Sequence, residues 1–182
     1  MVRRSQHMPT RTDPTSGASV HVFTFKEGLL SAVAHDLEIA VERFSITWND
    51  EKTKIDATFD AKSARVLHPM AHGQPAPGGL SARDLTKIAG TIESDVLRSR
   101  SFPEIRFSST SLTPEGEGFV VRGKLTLVGQ EREIEARVTR ENDSWSTEVV
   151  LDQTRWGITP YSAMMGTLKI KPEIRVRVRV PA

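Results

Sequence analysis

The chain has 182 residues, 37% hydrophobic and 26% charged, which is enough for one ordinary domain with a sizeable core and is neither a disordered nor a membrane-protein composition. It contains no cysteine, which excludes disulfides and thiolate metal sites. The formal net charge is only +2, and bases alternate with acids along most of the chain, so a clustered nucleic-acid-binding face is not expected.

Residues 1–17, MVRRSQHMPTRTDPTSG, read as a flexible N-terminal tail, and 18–182 as one domain. Two early arginines have no apolar stretch of ~7–15 residues behind them, so no secretory signal is visible. A cytoplasmic protein without a transmembrane segment is expected, periplasmic if the N-terminus has been processed. From residue 19 the pattern has a period of two. SVHVFTF (19–25) alternates. LEIAVERFSITW (37–48) puts Leu37, Ile39 and Val41 on one face and resumes with Phe44, Ile46 and Trp48 after a one-residue slip at Glu42-Arg43, the signature of a β-bulge. KIDATFDAKSARV (54–66) alternates again. Residues 67–80, with Pro69, Pro75, Pro77, Gly73, Gly78 and Gly79, read as a loop.

The period then changes. In 81–99, Leu85, Ile88, Ile92 and Val96 recur at spacings of three and four behind Ser81 and Asp84, which predicts one amphipathic helix with its N-cap and acidic first turn. Strand patterns return at 103–112, 119–129, 132–140, 144–156 and 166–180, punctuated by Pro114-Glu115-Gly116, Gly129-Gln130 and Asn142-Asp143. In IRVRVRV (174–180), Arg175, Arg177 and Arg179 share one face, expected to be a solvated exterior. The fold class is therefore all-β with one inserted helix: about eight antiparallel strands, joined mostly by hairpins and closing into an extended lipocalin-like barrel able to hold one small ligand.

Four stretches resemble the YceI-like family: SAVAHDLEI (31–39) after the first strand, ESDVLRSRSFPEIRFSSTSL (93–112), VRGKLTLVGQEREIEARV (121–138) and RWGITPYSAMMGTLKI (155–170). They span nearly the whole chain in order. The resemblance implies an extended antiparallel barrel, often dimeric, whose characterised members hold a long isoprenoid chain in an apolar lumen. It therefore implies an isoprenoid or other lipid ligand and a possible homodimer, with no cofactor. The chain departs from the family in its Pro-, Gly- and His-rich 67–80 segment and in the missing signal.

Alternation makes Phe23, Phe25, Leu37, Ile39, Phe44, Phe59, Phe107, Leu125, Leu127, Trp156, Ile158, Met164 and Met165 candidates for a ligand-binding lumen. A packed core would use the same residue types, and the preference for a lumen comes mainly from the resemblance. The methionines of YSAMMG suit an adaptable pocket. His35 and Asp36 stand in an apolar run. They lack a nucleophile motif and a full ligand set, so neither catalysis nor metal binding is expected. They read as a polar pair satisfying strand ends, with a secondary role towards a ligand head group. His68 and His72 are four apart but flank Pro69, so their spacing does not make a chelate. The expected function is non-enzymatic binding of an isoprenoid or fatty lipid. The alternatives are an interaction module with a filled core, or an enzyme using His35 and Asp36.

Overall fold

In the computed structural model, residues 10–27, 35–49, 51, 53–76, 78–166 and 168–182 are described. Thirteen strands and one α-helix follow in the order β1 (Thr10–Thr12), β2 (Ser19–Lys26), β3 (Asp36–Val41), β4 (Phe44–Trp48), β5 (Ile55–Asp60), β6 (Ala64–Ala71), β7 (Gln74–Pro75), α1 (Ala82–Thr91), β8 (Glu104–Glu115), β9 (Gly118–Leu127), β10 (Gln130–Glu141), β11 (Ser144–Asp152), β12 (Ser162–Ala163) and β13 (Leu168–Pro181). All strand pairs are antiparallel. The hydrogen-bonded path is β1-β4-β5-β8-β9-β10-β11-β13-β2-β3-β6-β7, with β12 attached to β13.

The count exceeds the eight expected, and the reason is local. The 37–48 and 54–66 patterns form one long hairpin that breaks in the middle. Two backbone bonds, Glu42 N–H to Ser63 O at 3.0 Å and Asp60 N–H to Arg43 O at 3.0 Å, carry the pairing across the break. On one side of it β3 joins β2; on the other β5 joins β8. The slip at Glu42-Arg43 is thus a change of neighbour, not a simple bulge within one strand. Because the two halves of this hairpin lie next to opposite ends of the path, β4 beside β1 and β6 beside β7, the sheet curls round on itself into a barrel-like shape.

Two further expectations are corrected. Part of the predicted tail is structured: β1 pairs with β4, Thr12 is buried, and Asp13 caps a 3-10 turn at Pro14–Ser16. The predicted 67–80 loop begins as strand, since β6 runs through His68, Pro69 and Met70 and returns as β7. Its Pro77 lies outside the described residues, as do Ser31–Ala34.

The helix forms where its period predicted. Ser81 Oγ accepts the Asp84 N–H at 3.2 Å, and Asp84 Oδ2 accepts the Ser81 N–H at 2.9 Å, a reciprocal capping box. A single π-helical turn, Ile92–Val96, follows the helix. The two-residue turn Val128-Gly129 joins β9 to β10 with φ of 49° and 74°, the doubly positive geometry of a hairpin turn that matches strand twist. Gly129 has a second constraint: a Cβ there would lie 2.5 Å from Phe102 Cε1.

Candidate functional site

Register fixes which side chains turn inward. On β13, Ile170, Ile174, Val176, Val178 and Val180 face the interior, while Arg175, Arg177 and Arg179 alternate outward. Inside the curl lies a cavity of about 550 Å³ with a predominantly apolar wall. Packed interiors leave few voids larger than a water molecule, and this space is far larger.

Aromatic side chains gather at one end of the lumen. The rings of Trp48 and Phe119 meet edge-on at 5.7 Å, and those of Phe119 and Trp145 lie 5.6 Å apart. Trp48 and Trp145 form part of the cavity wall. These residues stand where β4 ends and where β9 and β11 begin. At the opposite end, the apolar stripe of α1 with the residues flanking it (Leu80, Leu85, Ile88, Ala89 and Ile92) packs against Leu37, Ile39 and Val66 of β3 and β6. Leu80, Ile88 and Ile92 contribute to the lumen wall, so the helix covers the end opposite the aromatic plug.

Polar groups are few, and several collect at the helix-covered end: His35, Asp84, Lys87 and Tyr161 all border the cavity there. Half-buried His35 is closely approached by backbone, since a Cβ on Gly79 would lie 2.9 Å from its Nε2. Thr24 also lines the wall, and its buried Oγ1 has no hydrogen-bond partner among the described residues. A buried hydroxyl without a partner is unusual in a protein interior, and one that faces a cavity is available to a bound polar atom. Asp84 is held below the ordinary carboxylate range, chiefly by the Ser81 hydroxyl and then by the Ser81 N–H. Asp60, also on the wall, is opposed by burial. The Lys62 N–H and the Arg43 guanidinium outweigh that opposition and keep its carboxyl below the ordinary range.

Of the residues singled out from sequence, His35, Leu37, Ile39, Phe59, Phe107, Leu125, Leu127 and Ile158 lie on the lumen wall. Six others do not. Phe23 and Phe25 point the other way, where the Arg177 and Arg175 guanidinium groups cover their rings at 4.9 and 5.4 Å. The inward face of β2 is instead Val20, Val22 and Thr24. Phe44 is buried against Phe59, with ring centroids 6.3 Å apart, and does not border the cavity. Trp156 is wholly buried, its Nε1–H donating to the Leu125 carbonyl at 3.0 Å, and it supports the wall from behind. Met165 is fully exposed in a turn at φ 55°. Asp36 is turned away from its neighbour His35: its Oδ1 accepts the Lys26 N–H at 2.8 Å, a strand-end clamp. The Met164 side chain lies outside the described residues.

The sequence reading missed Trp145, Ile134, Ala136 and the helix residues as wall. Ile134, Ala136 and Val138 do alternate along β10, a signal that the intervening charges made legible. It also missed a polar cluster on the outer face, where Glu38 sits between two imidazoles. Its Oε1 is 2.5 Å from His21 Nδ1 and its Oε2 is 3.4 Å from His68 Nε2. His72, once considered with His68, lies in the exposed turn at φ 52° and takes no part in this cluster. Among the described residues no group of three or more His, Cys, Asp or Glu is arranged to hold a metal ion, and no helix is long and apolar enough to cross a membrane.

Comparison with known proteins agrees with this architecture. No curated protein sequence matches the chain. Among solved structures, BcnA of Burkholderia cenocepacia superposes with a TM-score of 0.61 at 16% identity, covering 91% of this chain and 96% of that one. A polyisoprenoid binding domain from Saccharophagus degradans, described as implicated in plant cell wall breakdown, superposes at 0.58 with 9% identity, covering 90% and 92%. At such identities the likeness is one of fold. The family model for the YceI-like domain matches residues 13–182, and the chain belongs to the YceI-like family.

Proposed function

We propose that this protein is a non-enzymatic binding and carrier protein that holds an amphiphilic isoprenoid, of polyprenyl or quinone type, or a fatty lipid in its lumen. The observation that carries this reading is the apolar cavity of about 550 Å³. Water wets such walls poorly, whereas a hydrocarbon chain gains about 0.8 kcal/mol for each methylene it buries. The polyisoprenoid binding domain among the structural neighbours supports the same class of ligand. The Thr24 hydroxyl, His35 and Lys87 give the polar end of an amphiphile somewhere to hydrogen-bond.

No observation favours catalysis by His35 and Asp36. They diverge, with the Asp36 carboxylate committed to the Lys26 backbone. Native mass spectrometry of gently purified protein, followed by organic extraction, tests the carrier reading. A co-purifying mass that extracts as a prenyl or acyl lipid is the expected result. An apo mass that stays unchanged after incubation with quinones and polyprenyl phosphates would overturn the reading.

A further inference from the structure

We propose that the lumen selects by chain length, accepting one hydrocarbon chain of about twenty carbons, such as four isoprene units, with its polar end at the helix-covered mouth. This inference rests on the lipid-binding reading above and adds to it a measure of the cargo.

Two independent dimensions give the same figure. The first is volume. A cavity of about 150 Å³ is filled by benzene, or about 25 Å³ for each carbon. The lumen of about 550 Å³ then holds about 22 non-hydrogen atoms, one more than a twenty-carbon alcohol contains. The second is length. The inward residues of β13 run from Ile170 to Val180. The register slips by two residues between Ile170 and Ile174, so the same span is counted on β2, from Lys26 opposite Ile170 to one position past Ser19, which lies opposite Arg179. Those steps at about 3.3 Å each make about 26 Å along the strand, or about 20 Å along an axis tilted by about 40°. An extended chain advances about 1.3 Å per carbon–carbon bond, so about sixteen main-chain carbons span that distance; with one methyl branch for every four of them, that is four isoprene units and about twenty carbons. Dividing the volume by the length leaves a cross-section of about 27 Å². A single chain at about 25 Å³ per carbon has nearly that cross-section, and a two-chain lipid does not fit.

The ends of the lumen make the limit a sharp one. At the far end the rings of Trp48, Phe119 and Trp145 stand in continuous contact, and the Arg140 guanidinium stands over Trp145 at 5.8 Å. In this proposal that aromatic contact is what stops the chain. At the near end His35, Lys87 and the unpartnered Thr24 hydroxyl can meet a polar terminus. Carbons beyond about twenty have no apolar surface to occupy and remain in water.

The test is displacement of a fluorescent eighteen-carbon polyene fatty acid by all-trans prenyl alcohols of 10, 15, 20, 30 and 40 carbons, delivered from cyclodextrin. A buried carbon is worth about fourfold in affinity, so each added isoprene up to twenty carbons should tighten binding at least tenfold. From twenty to forty carbons the change should be less than threefold. Trp145→Ala removes one ring of the plug and should move the break to a longer chain, provided circular dichroism shows it folded; if it does not fold, the wild-type series decides alone. A rise that continues undiminished to forty carbons overturns the length limit and leaves the carrier reading intact. Failure of every alcohol and of the probe to bind overturns the carrier reading itself.

Discussion

Replacing Ala136 with phenylalanine sets the lumen against the packed-core alternative, because the two predict opposite signs. Ala136 lies on β10 opposite Val121, and both border the cavity. In a filled core the six additional carbons would overpack the site and destabilise the protein by about 1–3 kcal/mol. In a lumen they enter open space. A ring of that size occupies about 150 Å³, the volume that benzene fills. More than a quarter of the space of about 550 Å³ is then taken, leaving room for about 16 carbons. Burial of the ring should make the ligand-free protein more stable by about 1 kcal/mol. Binding of a twenty-carbon chain should weaken by about two orders of magnitude, since about four carbons lose their places at about 0.8 kcal/mol each. Chemical denaturation of delipidated protein and fluorescent-lipid displacement measure the two quantities separately. A variant destabilised by more than 2 kcal/mol, or one that binds the twenty-carbon chain as tightly as wild type, refutes the account of the space.

Three further perturbations probe the supports of the site. Trp156→Phe deprives the Leu125 carbonyl of its 3.0 Å donor in a fully buried setting and should cost about 1–3 kcal/mol in urea unfolding; because Trp156 stands behind the wall, the bound chain length should be unchanged. Asp60→Asn should destabilise the protein at neutral pH. Burial opposes the Asp60 charge, but the Lys62 N–H and Arg43 hold the folded carboxyl below its unfolded value of 3.8. Its contribution is therefore present above that value and lost as pH falls through the folded one, so the difference from wild type should fade below about pH 3.8, read by thermal melts across pH. Ser81→Ala removes the capping box of the helix over the mouth; about 1 kcal/mol of helix stability is at stake, and lipid dissociation measured by stopped flow should accelerate about fivefold, whereas an unchanged rate would mean that the helix is not the barrier to exit.

What could be read from sequence was decided by how far apart in the chain the determining contacts lie. On β13 each outward position from Lys169 to Arg179 carries a full charge, so the alternation alone identifies the exterior. The helix was equally legible, because its stripe and its Ser81–Asp84 cap are local. β2 was not. Its two faces, Val20, Val22, Thr24 and His21, Phe23, Phe25, are both largely apolar, and the heavier one looked like the interior. Arg175 and Arg177 decide the matter from a strand about 150 residues later in the chain, covering both phenylalanine rings. Aromatic rings beneath guanidinium groups can remain on the outside of a barrel. The same distance effect hid β1, whose three residues gain order only by pairing with β4.

The break in the β3–β6 hairpin connects fold and site. Ser63 Oγ donates to the Asp60 carbonyl at 2.8 Å and accepts the Arg43 N–H at 3.0 Å, so the chain at the break is held by side-chain bonds where the ladder is interrupted. Beyond it β3 and β6 diverge from β4 and β5, which carry the aromatic end of the lumen. β3 and β6 form the surface on which α1 rests. Leu67 is the extra residue that keeps this surface apolar: Ile39 pairs with Val66 and Glu38 with His68, so the register shifts by one between them. Without that shift, a register counted on from Val66 would bring Leu67 opposite Glu38 and His68 opposite Leu37. His68 would then turn towards the helix. One extra residue thus keeps the imidazole–carboxylate cluster outside and the lipid-compatible wall inside.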